Sequence, residues 1–349
     1  MKVGIIASAR FPVREPFAGG LEAHTWSLAQ GLKARGHEVT VFAAPGSDPA
    51  LGVQALSVQV PKISAAARAD VSMPAEWWLQ EHHAYLALML QLAGGGLDLV
   101  HNNSLHHLPI AMASALPMPT VSTLHTPPTP WLESAIQAPA HCPVVFAAVS
   151  GHTARAWRHV VPDATVVRNG VDIDRWRPGP GGGPAVWTGR LVPEKGPHLA
   201  VQAARLAGVE LRLAGPSLDQ AYFDQQVRPW LGDGIEYVGH LRTDELVELV
   251  GAASVSLVTP CWEEPYGLVV AESLACGTPV AAFARGALPE LVDARHARLV
   301  PADDVPALAA ALLEAQQLDR AQVRAHAVAT CSVEAMVDGY EQLYGLVAA

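Results

Sequence analysis

The sequence predicts an α/β protein made of two doubly wound units, each a parallel sheet covered by helices. Its 349 residues suffice for about two domains. Hydrophobic residues make up 50% of the chain and charged residues 16%, so each unit can bury a sizeable core. Apolar runs of strand length alternate with amphipathic helical runs in both halves, which is the pattern of parallel strands joined by helices.

The first half of the chain carries six strand-like runs and one long helical run. The strands are predicted in VGIIASA, EVTVFAA, LDLVHNN, PTVSTLH, VVFAAVS and ATVVRNG, and the helix runs from about Leu21 to Arg35. The stretch RWRPGPGGGP, residues 175–184, concentrates glycine and proline where neither a helix nor a strand could persist. We therefore predict an N-terminal domain over residues 1–174 and a linker over 175–184.

The alternation restarts after the linker and predicts a C-terminal domain over residues 185–332. Its strands are predicted in AVWTG, VELRLAG, IEYVG and VSLVTP, and its helices at 197–207, 219–231, 243–252, 268–276, 304–316 and 319–330. Gly277 is the expected residue just past the end of the fourth of these helices. A last helix at 333–347 has no strand after it, so the segment 333–349 could pack back on the N-terminal domain.

Composition limits the class of protein. The formal net charge of −10 argues against binding of nucleic acid or of a broad anionic membrane surface. Four cysteines without C-x-x-C pairing (Cys142, Cys261, Cys276 and Cys331) are typical of reduced thiols in a cytoplasm. The start, MKVGIIASAR, reads as a first strand and not as a signal peptide. The longest apolar stretch, AYLALMLQLAGGGLDLV, contains three glycines, and no transmembrane segment is predicted.

Ligands of open α/β sheets bind where strands exit into helices, and several such loops carry unusual residues. Gly19 and Gly20 precede the first long helix, so a phosphate could approach backbone N–H groups at its positive end, although a simple turn is the alternative. No G-x-G-x-x-G follows the first strand, which disfavours a nicotinamide enzyme. In TGRLVPEKGPH, Arg190 and Lys195 could straddle a diphosphate, or they could be ordinary surface cations.

The stretch CWEEPYGLVVAES places one acid in a loop and another inside the following helix. Glu264 lies in the strand-exit loop, and Glu272 lies in the second turn of the helix and points back at the same cleft. Carboxylates can accept hydrogen bonds from pairs of hydroxyls on a sugar or ribose. The alternative for Glu272 is that it simply lies on a solvated face of the helix. His125 stands at the exit of an apolar strand in STLHTPPTP, where a lone histidine is more often structural than catalytic.

Together these motifs resemble the family 4 retaining glycosyltransferases of the GT-B fold, in which two Rossmann-like domains face each other across an interdomain cleft. The most specific motif is E-x7-E, here Glu264 to Glu272. It is supported by GRLVPEKG, by NGVD, by GTPVAAFARGALPELV and by GGLEAHTWSLAQGLKARGHEVTVF. Two departures are Cys261, where the family often has serine, and a rather short chain.

The resemblance implies a role for each motif residue. Arg190 and Lys195 would bind the diphosphate of a nucleotide sugar, with the Gly19–Gly20 pair approaching it from the other domain. Glu272 would take the ribose hydroxyls, and His125 would be the active-site histidine near the sugar. The donor sugar would be held by Glu264 and the backbone after it, and the base would meet the backbone from Gly239 to Leu241. The backbone residues after Glu264 are Pro265, Tyr266, Gly267, Leu268 and Val269.

The implied reaction moves a sugar from a nucleotide-diphosphate sugar to an acceptor hydroxyl with retention. The acceptor would attack the face from which the diphosphate leaves, without a protein nucleophile. The family it resembles works without a metal on the diphosphate, so the resemblance implies neither a metal nor a cofactor. The expected donor is a UDP-sugar, with GDP- and ADP-sugars as alternatives.

The acceptor side is less defined. In MPAEWWLQEHH, Trp77, Trp78, His82 and His83 could stack on a sugar, lipid or small-metabolite acceptor, or could simply pack a helix. A nucleotide-sugar 2-epimerase on the same fold and a nucleotide-sugar-binding protein without transfer activity remain alternatives, and a monomer and a homodimer are both open.

Overall fold

Two parallel sheets follow one another along the chain. The computed structural model describes residues 1–56 and 62–348. The N-terminal sheet has the order β3-β2-β1-β4-β5-β6-β7 and the C-terminal sheet the order β10-β9-β8-β11-β12-β13. The strands are Lys2–Ile6 (β1), Glu38–Ala43 (β2), Val53–Ala55 (β3), Leu99–Asn102 (β4), Thr120–Leu124 (β5), Val144–Ala148 (β6), Thr165–Val166 (β7), Ala185–Thr188 (β8), Leu211–Ala214 (β9), Ile235–Gly239 (β10), Ser256–Val258 (β11), Val280–Phe283 (β12) and Ala297–Val300 (β13).

Every strand predicted from the sequence forms, and the α/β class with two Rossmann-like sheets is confirmed. In each sheet the strand order reverses at the centre, between β1 and β4 and between β8 and β11. Such reversals open a crevice at the carboxyl ends of the strands, which is where α/β proteins bind ligands.

The helices cover both faces of the sheets. They are Gly20–Ala34 (α1), Ala65–Arg68 (α2), Glu76–Leu92 (α3), Leu108–Ala111 (α4), Pro130–Gln137 (α5), Gly151–Trp157 (α6), Pro197–Ala207 (α7), Gln220–Tyr222 (α8), Thr243–Ala252 (α9), Leu268–Ala275 (α10), Leu288–Leu291 (α11), Val305–Ala315 (α12), Arg320–Thr330 (α13) and Val333–Ala348 (α14). Gly277 adopts a left-handed conformation (φ +68°) just past α10, as the sequence predicted. Across residues 1–56 and 62–348, no helix combines the length and the apolarity that crossing a membrane would need.

The predicted single helix at 219–231 is wrong. Only α8 is an α-helix there, and it is followed by a wide turn of π type at Phe223–Val227 and a 3-10 turn at Arg228–Trp230. Pro229 accounts for the break, because proline lacks a backbone N–H and its ring clashes with the preceding helical turn.

The last helix, α14, packs on α1 of the N-terminal half. Its buried face joins the core built from β1, β2 and α1, and contributes Met336, Val337, Tyr340, Leu343 and Tyr344. Arg35 at the end of α1 pairs with Asp338 at 2.7 Å and Glu341 at 2.9 Å. Inside, the Tyr344 hydroxyl lies 2.6 Å from Nδ1 of His101, a buried residue of β4. The N-terminal core is therefore completed by the last segment of the described chain.

The linker at 175–184 contains no helix or extended strand, but it is anchored to the C-terminal half. Trp176 is buried in the core beneath α10. The amides of Gly181 and Gly183 donate to the carbonyls of Gly251 and Ala252 at 3.0 and 2.9 Å. The division into a domain over 1–174, a linker over 175–184 and a domain over 185–332 stays a prediction.

Candidate functional site

A cleft between the two halves is formed by loops at the carboxyl ends of β1, β5, β8 and β11. Ten of the residues predicted from the sequence line it together: Gly19, Gly20, His125, Arg190, Lys195, Glu264, Pro265, Tyr266, Gly267 and Leu268. The cleft also includes side chains that sequence reasoning missed, among them Arg10, Glu22, Leu105, Asn169 and Trp262.

A second cavity adjoins the first. It contains three further predicted residues, Leu241, Val269 and Glu272, and it shares Gly19, Gly20, Arg190 and Leu268 with the cleft. Gly239 lines neither cavity, but its carbonyl accepts from the amide of Gly215 at 2.8 Å, next to the lining residue His240. Thirteen of the fourteen predicted residues thus line two adjoining cavities, and Gly239 lies beside the second.

Lys195 and Glu264 form an ion pair inside the cleft. Nζ of Lys195 lies 2.6 Å from Oε2 of Glu264, and only 22% and 13% of the two side chains are exposed. The same carboxylate oxygen accepts from Nε1 of Trp262 at 3.0 Å, and the lysine nitrogen lies 4.9 Å from the centre of the Trp262 ring. The sequence analysis placed both groups in the site but did not predict that they pair.

The two loops that carry this pair are bonded to each other. Thr259, at the exit of β11, accepts from Trp187 of β8 at 3.0 Å and donates to the carbonyl of Gly196 at 2.8 Å. The amide of Cys261 donates to the carbonyl of Glu194 at 2.8 Å. Gly196 has a left-handed φ of +64°, and a Cβ there would lie 2.1 Å from the carbonyl oxygen of Thr259. A glycine is therefore required at this crossing.

Gly286 fixes the Glu264 loop from the other side. It also has a left-handed φ of +64°, and a Cβ would lie 2.2 Å from the carbonyl oxygen of Glu264. The amide of Ala287 donates to that same carbonyl at 2.8 Å. This gives the GTPVAAFARGALPELV motif a physical role, because its second glycine lets the acidic loop pass directly over it.

The N-terminal half also contacts this loop. The hydroxyls of Ser150 and Thr153, in the first turn of α6, donate to the carbonyl of Pro265 at 2.6 and 3.1 Å. The side chain of Tyr266 points away into the core and donates to the carbonyl of Asn169 at 2.6 Å. Tyr266 therefore faces the cleft through its backbone, at the start of α10.

Arg190 faces the start of α1 across the cleft. Its Nη2 lies 3.6 Å from Oε1 of Glu194, and a third of its side chain is exposed. A Cβ on Gly19 would lie 3.9 Å from Cδ of Arg190. Beside them, burial raises the pKa of Glu22 to about 7, against smaller lowering effects of a backbone hydrogen bond and of Arg190. The signal for Glu22 was present in the sequence, as an acid in the first turn directly after the glycine pair.

Glu272 lines the second cavity from α10. Burial raises the pKa of its carboxyl to about 8. Within residues 1–56 and 62–348, its carboxylate takes part in none of the hydrogen bonds or ion pairs between side chains. An acid in this state is costly unless a ligand donates to it.

His125 lines the cleft and belongs to a polar group that continues into the interior behind it. Its Nε2 lies 2.8 Å from Oδ1 of Asn103, and its ring meets His24 edge-on at 4.9 Å. Burial, followed by the neighbouring His24 and His101, lowers the pKa of His125 well below its ordinary value, and burial lowers that of His24 to about 4. Both imidazoles are therefore neutral at pH 7.

Comparisons with known proteins agree with this architecture. The family model described as Glycosyltransferase Family 4 matches residues 18–175, and the model described as Glycosyl transferases group 1 matches residues 184–317. Glycogen synthase of Mycobacterium tuberculosis is 30% identical over 317 residues, which cover 78% of this chain and 76% of that protein. Phosphatidyl-myo-inositol mannosyltransferase of Mycolicibacterium smegmatis is 27% identical over 358 residues, covering 95% and 88%.

Solved structures show the same fold over the whole length. Sucrose-phosphate synthase from Thermosynechococcus elongatus superposes with a TM-score of 0.79 at 21% identity, covering 99% of this chain and 98% of that chain. Anabaena HepE in complex with UDP-glucose superposes with a TM-score of 0.77 at 19% identity, covering 99% and 100%. On the sequence similarity and the fold together, the chain belongs to glycosyltransferase family 4 and is a glycosyltransferase of the GT-B fold.

Proposed function

We propose that this glycosyltransferase moves a sugar from a nucleotide-diphosphate sugar to an acceptor hydroxyl, with retention and without a metal ion on the diphosphate. The observation that carries the proposal is the order of charged side chains along the cleft and the adjoining cavity. Arg190 and Lys195 lie in the cleft beside Arg10. Glu272 lies in the adjoining cavity, and its carboxylate has no partner among the side chains that the structure describes. A nucleotide-diphosphate sugar bound here would place its diphosphate at the cations and its ribose hydroxyls at Glu272.

Arg190 and Lys195 stabilise the leaving diphosphate. As the bond between sugar and diphosphate breaks, negative charge accumulates on the phosphate oxygens, and fixed cations lower the barrier without reorganising. The backbone N–H groups at the start of α10, from Gly267 to Val269, add the positive end of a helix next to the cleft. Together these groups serve in place of a metal ion.

Glu264 has two roles in this proposal. Without a donor its carboxylate neutralises Lys195 at 2.6 Å, so the lysine is held in place at low electrostatic cost. With a donor bound, the diphosphate takes over the lysine charge, and the carboxylate accepts hydroxyls of the donor sugar. Glu272 accepts the ribose hydroxyls, which favours its ionised form.

Retention follows if the acceptor attacks the face from which the diphosphate leaves. The bond from the anomeric carbon to the diphosphate oxygen breaks, the bond to the acceptor oxygen forms on the same face, and the acceptor proton moves to the leaving phosphate oxygen. No protein nucleophile takes part. His125 is neutral and hydrogen-bonded to Asn103, and it serves as a positioned hydrogen-bonding group beside the sugar.

The donor we propose is a UDP-sugar, with GDP- and ADP-sugars as alternatives, and the fold similarity to a protein solved with UDP-glucose supports that order. The acceptor is a sugar, lipid or small metabolite that enters on the N-terminal side, where Arg10 and Leu105 line the cleft. The exposed Trp77 and the stacked Trp78 are candidates for contacting it. We also propose a cytoplasmic location, supported by four cysteines that are all free thiols.

Replacement of Lys195 by methionine tests the proposal, with Lys62→Met, an exposed lysine, as the matched control. Transfer would be followed by mass spectrometry over a panel of UDP-, GDP- and ADP-sugars and candidate acceptors. We expect Lys195→Met to lower kcat by about 10²–10³, the range for a lost electrostatic stabiliser, and the control to be unaffected. Near-normal turnover by Lys195→Met would overturn the assignment, and an epimerised sugar formed without acceptor would favour the 2-epimerase instead.

A further inference from the structure

Three histidines of the N-terminal half bring ring nitrogens together outside the donor cleft. His82 lies on α3, and His106 and His107 lie in the loop between β4 and α4. One nitrogen of each ring lies within 4.8 Å of the other two. We propose that these three imidazoles bind one divalent transition-metal ion of the Zn²⁺ type.

The ligand set fits such an ion in chemistry and in distance. Imidazole nitrogen is a ligand of choice for zinc, cobalt and nickel, and three histidines with one open position form a known kind of zinc site. With Zn–N bonds of about 2.0–2.1 Å, tetrahedral coordination requires the nitrogens to be about 3.3 Å apart. The three nitrogens lie within 4.8 Å of one another, so small rotations of the rings about their side-chain bonds are enough to close the site.

Two of the three rings have a nitrogen that the surrounding protein engages weakly or not at all. Nδ1 of His82 is buried and has no hydrogen-bond partner among the described residues. Nδ1 of His106 accepts a long bond of 3.2 Å from the amide of Leu108, and metal ligation there would exchange that bond while leaving the proton on Nε2.

Aromatic rings enclose the cluster and limit how far it can move. Trp78 stacks on His82 at 5.1 Å, Tyr85 on His106 at 4.5 Å and Trp131 on His107 at 5.2 Å. Glu81, the residue before His82, lies 3.6 Å from Arg10, which lines the donor cleft. A bound ion would therefore join α3 to the loop after β4 and stiffen the wall on the proposed acceptor side.

The test uses the full chain, stripped with a chelator and titrated with ZnCl₂ or CoCl₂. Isothermal titration should find one equivalent bound, the Co²⁺ complex should show visible absorption from nitrogen ligation, and Zn²⁺ should raise the melting temperature. His82→Ala and His106→Ala should each weaken binding at least tenfold. His83→Ala is the matched control, since it removes the neighbouring imidazole on α3 that is not part of the cluster, and its metal affinity should be unchanged.

Two results would overturn the proposal. One is the absence of stoichiometric binding by the wild-type chain at micromolar Zn²⁺, which would leave the rings as an aromatic stack. The other is equal affinity in His83→Ala and in the cluster variants, or a thiolate absorption band in the Co²⁺ complex, which would place the ion elsewhere. If an alanine variant fails to fold, His82→Gln keeps most of the ring volume while removing the ligand, and the same tenfold loss is expected.

Discussion

Replacing Glu272 by glutamine should make the protein more stable at alkaline pH and should lower its affinity for the nucleotide. In the unfolded chain this carboxyl titrates near 4.5, and in the fold burial raises its pKa to about 8. Below about pH 4.5 the acid is protonated in both states, so glutamine and glutamic acid should be nearly equivalent. As the pH rises from 4.5 to 8, only the unfolded chain releases the proton, and the stability of the wild type falls.

The size of the effect follows from the same values. A rise of the pKa from 4.5 to about 8 corresponds to at most about 5 kcal/mol above pH 8. Since the side chain is only partly buried and faces a cavity, we expect about 2 kcal/mol. That corresponds to a melting temperature about 3 °C above wild type for a protein of this size.

The assay is thermal unfolding at pH 5 and at pH 8.5, together with titration of UDP at pH 8. Glu272→Gln should match the wild type at pH 5 and exceed it at pH 8.5, and it should bind UDP about 10–100-fold more weakly, because hydrogen bonds to a charged acceptor are lost. Glu38→Gln, an exposed acid on β2, serves as the control and should change neither quantity. Equal melting temperatures at pH 8.5, or unchanged UDP affinity, would refute the reasoning.

Three further predictions concern pH, the acidic loop and the last helix. The ratio of wild-type to Glu272→Gln affinity for UDP, measured by calorimetry, should rise between about pH 6.5 and 9 as Glu272 ionises. A ratio that does not change with pH would contradict a ribose role. The ratio is used because Glu22, whose pKa is about 7, titrates in both proteins and its effect cancels. Gly286→Ala should lower both kcat and the melting temperature, because its Cβ would lie 2.2 Å from the carbonyl oxygen of Glu264. The control Gly208→Ala has a φ of +67° and nothing within 4 Å of its Cβ, so its free energy of unfolding should fall only by the about 1–2 kcal/mol that a left-handed alanine costs. Equal losses in the two variants would exclude the clash. Tyr344→Phe should lower the free energy of unfolding in urea by about 1–3 kcal/mol, because it leaves buried His101 without its 2.6 Å partner, and a change below measurement error would show that this contact contributes little.

The sequence was sufficient for the strand-exit loops and for the residues on them. Parallel strands place their carboxyl ends at one edge, so Arg190, Lys195 and Glu264 could be assigned to one cleft from their positions after apolar runs alone. The direction of side chains in a helix likewise predicted that Glu272 faces this region. These inferences needed only local pattern and the topology of a doubly wound sheet.

What the sequence could not supply were contacts set by the packing of distant segments. Lys195 and Glu264 are 69 positions apart, and nothing in their spacing indicates that they pair. His82 meets His106 and His107 only because α3 packs against the loop after β4. Pro229 is the sequence feature that marks the break at 219–231, because proline lacks the backbone N–H that a continuous helix needs.

The placement of α14 has a consequence for synthesis of the protein. The strands and α1 of the N-terminal half leave the ribosome early, yet the apolar face that receives Tyr340 and Tyr344 stays uncovered until residues 333–348 have emerged. The core of the N-terminal half therefore cannot be completed until the second half has been made, and the nascent chain exposes this apolar surface for that time. Truncation before residue 333 would be expected to leave a product prone to aggregation.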